Sequence, residues 1–198
     1  DLPDPGPVRQ ELSVGFYPSD NILARDKVLY VGQAVAAVAA TNPHIAEEAL
    51  SLISVEYEPL PFVTNVEESL KPQAPILHEH WSSDFEGEGP LKGLNIDSHE
   101  QHGFGDIQKG FATAYKIFER EFRTKTVHQG YIEPQNATAL WKHDGRLVIW
   151  CSSQGQFGIR DNTARILGIS KSNIKVVPME IGGGFGGKLT CYLEPVAA

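Results

Sequence analysis

The hydrophobic positions in the first third of the chain predict a strand, a helix and a second strand. Residues 28–40 are almost continuously apolar and include several β-branched side chains, which is typical of one or two buried strands. Asn42 and Pro43 are favoured at the start of a helix, and apolar residues then recur at helical spacing up to Ile53. Residues 54–58 alternate between polar and apolar side chains, so they predict the second strand.

The second half of the chain predicts further strands, joined by helices and one tight turn. The expected elements are a short helix at 106–112, strands at 114–125, 137–142 and 146–151, a helix at 156–167 and a strand at 174–179. His143, Asp144 and Gly145 supply a turn of the hairpin type, and Gly168 ends the longer helix. Pro195 suits the first turn of a final helix. This mixture predicts an α+β (mixed α/β) fold.

A change in composition divides the chain into two parts. From residue 71 to residue 105, Pro, Gly, Asp, Glu and His largely replace aliphatic side chains. We therefore expect one domain at 1–77, a linker at 78–105 and a second domain at 106–198. The chain starts in a proline-rich stretch and stops in what resembles the opening of a helix, so we expect a piece of a longer polypeptide.

Composition narrows the class of protein. The 198 residues are 41% apolar and 21% charged, which indicates a globular domain with a hydrophobic core. No run approaches the roughly 20 apolar residues of a membrane span, and no signal segment is recognisable, so a cytoplasmic location is expected. A net charge of −8 disfavours nucleic acid as a partner. Cys151 and Cys191 lack the spacing of a zinc site and are expected to be reduced thiols.

The most unusual stretch is residues 182–187, the glycine loop, with five glycines in six positions. It fits G-x-G-x-x-G, but a dinucleotide fold also needs an acidic residue about 20 positions later, past the last residue here. It also fits the start of a phosphate loop, yet Leu189 stands where a magnesium-binding Ser or Thr is needed. Thr190 comes one residue late, which on a helix turns the side chain by about 100°.

Two interpretations of the glycine loop remain open. The glycines could allow tight packing of strand against helix, with Phe185 filling the core. Alternatively, bare backbone could let N–H groups converge on an anionic or strongly accepting group of a large cofactor, with Phe185 excluding water. Lys188 either faces an anion or is a solvated end of the loop.

Several motifs in order resemble one known family. They are DKVLYVGQAVA at 26–36, AEEA at 46–49, VEYEPLP at 55–61, GYIEPQNA at 130–137, SSQ at 152–154 and GGGFGGK at 182–188. The sequence resembles the large, molybdopterin-binding subunit of the molybdenum hydroxylases, which include xanthine dehydrogenases, aldehyde oxidases and carbon monoxide dehydrogenases. The resemblance implies the end of an α/β-hammerhead domain followed by the first part of a molybdopterin-binding domain.

The resemblance also implies roles for individual residues. Gln154 matches the glutamine whose amide donates a hydrogen bond to an oxo ligand of molybdenum, and is implied to be catalytic. The backbone of Gly183, Gly184, Phe185 and Gly186 is implied to bind the cofactor, with the catalytic Phe185 as a wall beside the metal. The pterin holds molybdenum through its dithiolene, so no metal ligand from the protein is implied.

By the same resemblance, the implied activity is oxidative hydroxylation of an aldehyde or heteroaromatic carbon, with water as the oxygen source. The cofactor is molybdopterin, as such or as its cytosine dinucleotide, and iron–sulfur clusters and FAD lie on other domains or subunits. Leu189 replaces the glutamate of purine-type members, so a small-molecule substrate other than a purine is expected. The general base is expected beyond residue 198, and neither Glu133 nor Glu180 is given that role; the chain alone is expected to be inactive. An α/β binding or assembly module with a structural glycine loop remains the alternative.

Overall fold

The computed structural model describes residues 22–78, 95–96 and 102–198. The helices are α1 (Pro43–Ser51), α2 (Val66–Ser69), α3 (Ile107–Thr113), α4 (Gln156–Leu167) and α5 (Glu194–Ala197), and the strands are β1 (Ala137–Trp141), β2 (Leu147–Cys151) and β3 (Ile174–Pro178). Most of the expected linker at 78–105, like the first 21 residues, lies outside the described residues. No helix in the described ranges is both long enough and apolar enough to cross a membrane.

The three strands form one sheet in the order β1-β2-β3. β1 and β2 are antiparallel and are joined by the predicted turn, where Gly145 has a φ of 77° and the Arg146 N–H donates to Asp144 Oδ1 at 3.1 Å. β2 and β3 are parallel, because α4 carries the chain back across the sheet between them. The carboxyl ends of β2 and β3 therefore meet at one edge of the sheet.

The hydrophobic core lies between this sheet and α4. β2 is its centre, since Leu147, Ile149 and Cys151 are all buried. Ile159 and Ile166 face them from α4, where they lie two turns apart on the same side of the helix. α4 ends as predicted at Gly168, which adopts the left-handed conformation that favours glycine.

Three predicted strands, at 28–40, 54–58 and 114–125, are wrong. The structure describes these residues and assigns no strand to any of them, and apolar side chains such as Val31, Tyr57 and Tyr115 are exposed there. A strand requires the N–H and C=O groups of a neighbouring strand, and no described segment supplies them here. The helices between these segments do form: Asn42 caps α1 and Asp106 caps α3 through their side chains.

Candidate functional site

The carboxyl edge of the sheet brings the predicted site residues together. Gln154 follows β2, and the glycine loop follows β3 on the adjacent parallel strand. The Met179 N–H donates to the Cys151 oxygen at 3.0 Å, so the two segments stay paired as they leave the sheet. In α/β sheets, ligands bind outside the carboxyl ends of such strands.

Gln154 is held in one orientation by the loop. Its side-chain oxygen Oε1 accepts hydrogen bonds from the backbone N–H groups of Gly186 and Lys188, each at 3.1 Å. Its own backbone N–H donates to the Lys188 oxygen at 2.9 Å. Both groups that face the carboxamide are donors, so the atom turned towards them must be the oxygen. The NH₂ group of Gln154 therefore points away from these donors, and it has no acceptor among the described residues.

Packing and backbone conformation account for the five glycines. A Cβ at Gly182, Gly184 or Gly187 would come within 2.6 Å of the side chains of Glu133, Gln154 and Tyr131, respectively. Gly183 and Gly186 have φ values of 94° and 88°, in the left-handed region. Neighbouring side chains thus account for three of the five glycines, and the left-handed backbone accounts for the other two.

Three consecutive backbone donors of the loop remain available. The N–H groups of Gly183, Gly184 and Phe185 have no acceptor within the described part of the chain, whereas the Gly187 N–H closes a turn onto the Gly184 oxygen at 2.7 Å. Phe185 has a positive φ of 50°, and its side chain is exposed. The Gly186 N–H, by contrast, is used by Gln154. Successive free N–H groups in such a turn suit an anion or another strong acceptor.

An ion pair lies beneath the loop, with its Lys188 end buried and its Glu133 end partly exposed. The ammonium group of Lys188, which is 1% exposed, pairs with Glu133 Oε2, so it faces an anion of the protein itself instead of solvent. The same Glu133 oxygen accepts the Gly182 N–H at 2.7 Å. Lys188, and then the Gly182 N–H, lower the pKa of Glu133 to about 2. Glu133 is therefore ionised and ion-paired near neutral pH, which argues against its use as a general base.

Tyr131 and Gln135 belong to the site, although the sequence did not indicate them. The Gln135 side-chain NH₂ donates to the Gly187 oxygen at 2.8 Å, and the ring of Tyr131 packs against Gly187. Both residues lie in the 130–137 motif, in a segment without regular secondary structure before β1. The sequence offered one signal for them: both are residues with polar groups close to Glu133 in a segment outside helices and strands, where functional residues are common.

The thiols of Cys151 and Cys191 are buried. Burial, followed by the nearby carboxylate of Glu194, raises the pKa of the Cys151 and Cys191 thiols to about 12. Both are free thiols and stay protonated near neutral pH. Within the described ranges, no cluster of His, Cys, Asp and Glu is arranged to hold a metal ion.

Two family descriptions match the chain. The molybdopterin cofactor-binding domain matches residues 91–198, and the a/b hammerhead domain of aldehyde oxidase and xanthine dehydrogenase matches residues 4–61. The predicted order of a hammerhead domain followed by a molybdopterin-binding domain is therefore confirmed.

Individual relatives agree with these matches. The chain is 34% identical over 181 residues to a probable xanthine dehydrogenase subunit of Bacillus subtilis, covering 91% of this chain and 23% of the relative. It is 32% identical over 185 residues to the carbon monoxide dehydrogenase large chain of Afipia carboxidovorans, covering 89% and 22%. A solved Cu,Mo-CO dehydrogenase in its carbon monoxide reduced state aligns with a TM-score of 0.69 at 33% identity, covering 88% of this chain and 22% of that chain. The chain thus spans about a quarter or less of the length of these relatives.

Proposed function

Because the chain belongs to the xanthine dehydrogenase, aldehyde oxidase and carbon monoxide dehydrogenase family of molybdenum hydroxylases, we propose that Gln154 and the glycine loop bind the molybdopterin cofactor. The observation that carries the proposal is the set of available donors at the edge of the sheet. The carboxamide NH₂ of Gln154 and the N–H groups of Gly183, Gly184 and Phe185 have no acceptor in the described residues.

These residues fit the proposed group chemically. Oxo ligands and phosphate oxygens are strong acceptors, and every available polar group of the loop named above is a donor. The nearby carboxylate, Glu133, has one oxygen on Lys188 and Gly182 and the other on Asn136. Its negative charge is thus compensated by the protein. When bound, the cofactor would supply a metal centre that accepts electrons as the substrate carbon gains oxygen from water.

The chain's own residues orient the cofactor and stabilise charge on it. Gln154 cannot rotate without giving up two hydrogen bonds, so its NH₂ group is a preorganised neutral donor. The loop amides are held by the turn that the Gly187 N–H closes. The exposed Phe185 ring stands beside these donors and would limit the access of water.

The wider activity is inferred from the family. We propose oxidative hydroxylation of an aldehyde or heteroaromatic carbon, since relatives include a nicotinate dehydrogenase large molybdopterin subunit of Eubacterium barkeri and a quinoline 2-oxidoreductase of Pseudomonas putida 86. Purine-type members of the family resemble this chain but carry a glutamate where Leu189 stands, so we propose such substrates rather than purines. The pterin would be molybdopterin or its cytosine dinucleotide, and iron–sulfur clusters and FAD would lie on other domains or subunits. The protein would act in the cytoplasm.

We also propose the domain bounds expected from the sequence: a domain at 1–77, a linker at 78–105 and a second domain at 106–198.

Gln154→Ala in the intact enzyme tests the assignment. Loss of one preorganised donor should lower turnover by roughly 10²–10³-fold while the protein still folds. Gln156→Ala, at the start of α4, is the matched control and should leave turnover unchanged. Unchanged turnover in Gln154→Ala would remove this residue from the site.

Metal analysis and pterin fluorescence of the intact wild-type protein separate this function from its alternative. A binding or assembly module with a structural glycine loop would agree with the packing of the glycines. Such a module would contain neither molybdenum nor pterin, whereas the proposed enzyme contains both.

A further inference from the structure

One carboxylate oxygen joins the two ends of the glycine loop. Glu133 Oε2 accepts the backbone N–H of Gly182, the first residue of the loop, at 2.7 Å. It also pairs with the ammonium group of Lys188, the residue directly after the loop. The loop is therefore closed by an acceptor that lies 55 positions earlier in the chain than Lys188.

The ammonium group of Lys188 is buried, so it loses the favourable free energy of hydration that it would have in water. Its side chain is the largest of the fully buried ones in the described ranges. Among the described residues, its ammonium contacts Glu133, Ser152 Oγ at 3.5 Å and the face of the Tyr131 ring at 5.1 Å. Burying an ammonium costs free energy even when it is paired, and an apolar side chain of similar volume is often as stable or more stable in such a place. Stability alone therefore does not explain the pair, and a defined conformation of the loop is a better explanation.

The backbone of Lys188 links the pair to the proposed donors. Its N–H donates to Gln154 Oε1, and its C=O accepts the Gln154 backbone N–H. A shift of Lys188 would therefore move Gln154 and the loop together. The ammonium itself is covered by protein and occupied by Glu133, so it does not reach a ligand.

We infer that Lys188 and Glu133 are positioning residues, whose ion pair aims the N–H groups of residues 183–185 and the NH₂ group of Gln154 at one bound group. The inference rests on the proposed cofactor site. On this view the pair fixes the position of the groups that bind the cofactor, and this function is separate from its contribution to folding.

The experiment uses four variants of the intact holoenzyme: Lys188→Met, Glu133→Gln, the double variant, and Ile166→Val. Ile166 is buried in α4 and has no part in the site, so its variant controls for a general loss of stability. Three properties are measured: the thermal unfolding midpoint, the molybdenum retained after dialysis, and the electron paramagnetic resonance spectrum of the reduced metal. Amide hydrogen exchange of the peptide covering the glycine loop is followed in cofactor-free protein.

Each single variant at Lys188 or Glu133 should weaken metal retention by roughly 10–100-fold, alter the spectrum and speed exchange in the loop peptide. Glu133→Gln leaves the buried ammonium of Lys188 without a counter-ion, so the double variant should recover thermal stability relative to Glu133→Gln while its spectrum stays altered. Ile166→Val should lower the midpoint and leave the spectrum and the loop peptide unchanged.

Two results would overturn the inference. If wild-type protein holds the cofactor and the charge variants keep its retention and spectrum, the pair is only structural. If the spectrum changes in Ile166→Val as much as in the charge variants, a general loss of stability explains the change and the ion pair has no separate positioning function. A wild-type protein without molybdenum and pterin would instead refute the proposed function, and the positioning inference with it.

Discussion

Gln154 shows how a single side chain can be oriented by its neighbours. Two backbone donors take its oxygen, which leaves its NH₂ group as a donor directed elsewhere. A glutamate here could accept the same two hydrogen bonds but would have no donor to offer. The resemblance to a family implies a role for this residue, and under the proposed function its hydrogen bonds give a physical reason for a neutral amide at this position.

The glycine loop offers a prediction at the same scale. In Gly184→Ala the new Cβ would lie 2.6 Å from Gln154 Oε1, so the carboxamide must move. In Gly145→Ala, in the turn between β1 and β2, the new Cβ meets nothing within 4 Å, and the cost is only the strain of a φ of 77°. Gly184→Ala should therefore lose cofactor in the intact protein. Gly145→Ala should keep it, with the free energy of unfolding lowered by about 1–2 kcal/mol.

Molybdenum content per molecule and urea unfolding of the two variants check this prediction. Equal molybdenum content in both variants would contradict it, because only one of them displaces Gln154.

At the scale of elements, local signals and burial agree best in α4. Its apolar residues recur at helical spacing, and Gly168 ends it in the left-handed conformation. Its crossing between the parallel strands β2 and β3 sets their carboxyl ends side by side. The position of Gln154 beside the glycine loop follows from this connection.

Gly158 is a position in α4 where a substitution should stabilise the protein. It lies inside the helix, and an added Cβ would be in ordinary contact at 3.9 Å with the Leu189 oxygen. Glycine in a helix interior costs roughly 0.5–1 kcal/mol relative to alanine. Gly158→Ala should raise the free energy of unfolding by about that amount, as measured by urea denaturation. A lower value would mean that the helix cannot tolerate the contact with Leu189.

At the scale of the whole molecule, long-range contacts hold the site together. Glu133 and Gln135 lie before β1, whereas Lys188 and Gly187 follow β3. Their hydrogen bonds connect the segment before β1 with the segment after β3, at the glycine loop. The integrity of the site is therefore coupled to the folding of the whole 131–188 region.

This coupling predicts a dependence on pH. The pKa of Glu133 is about 2 in the folded protein against an ordinary value of 4.5, so the folded state favours the ionised form. The stabilisation is complete above about pH 4.5 and is lost as the pH falls towards 2. Glu133→Gln keeps an acceptor for the Gly182 N–H but has no charge to titrate.

Thermal unfolding midpoints of wild type and Glu133→Gln, measured between pH 7 and pH 3, test the dependence. The variant should be less stable at pH 7, and the difference between the two proteins should shrink as the pH falls below about 4.5. Other carboxylates titrate in both proteins and cancel in the comparison. A constant difference would show that the charge of Glu133 does not stabilise the fold.

The sequence by itself determined the elements whose signals are local. Side-chain caps at Asn42 and Asp106, the turn at Gly145 and the end of α4 at Gly168 all depend on residues within a few positions of each other. The order of the family motifs likewise predicted the two types of domain, which the family descriptions confirm, and it supplied candidate site residues whose roles stay a prediction.

Only the tertiary structure decided what depends on distant partners. Apolar patterns at 28–40, 54–58 and 114–125 predicted strands, but pairing needs a second strand, which no local pattern can guarantee. The partner of Lys188 lies 55 positions away, so its burial against Glu133 was invisible in the sequence. Three glycines of the loop, Gly182, Gly184 and Gly187, are required by side chains of Glu133, Gln154 and Tyr131, which reach them only because the sheet brings these segments together.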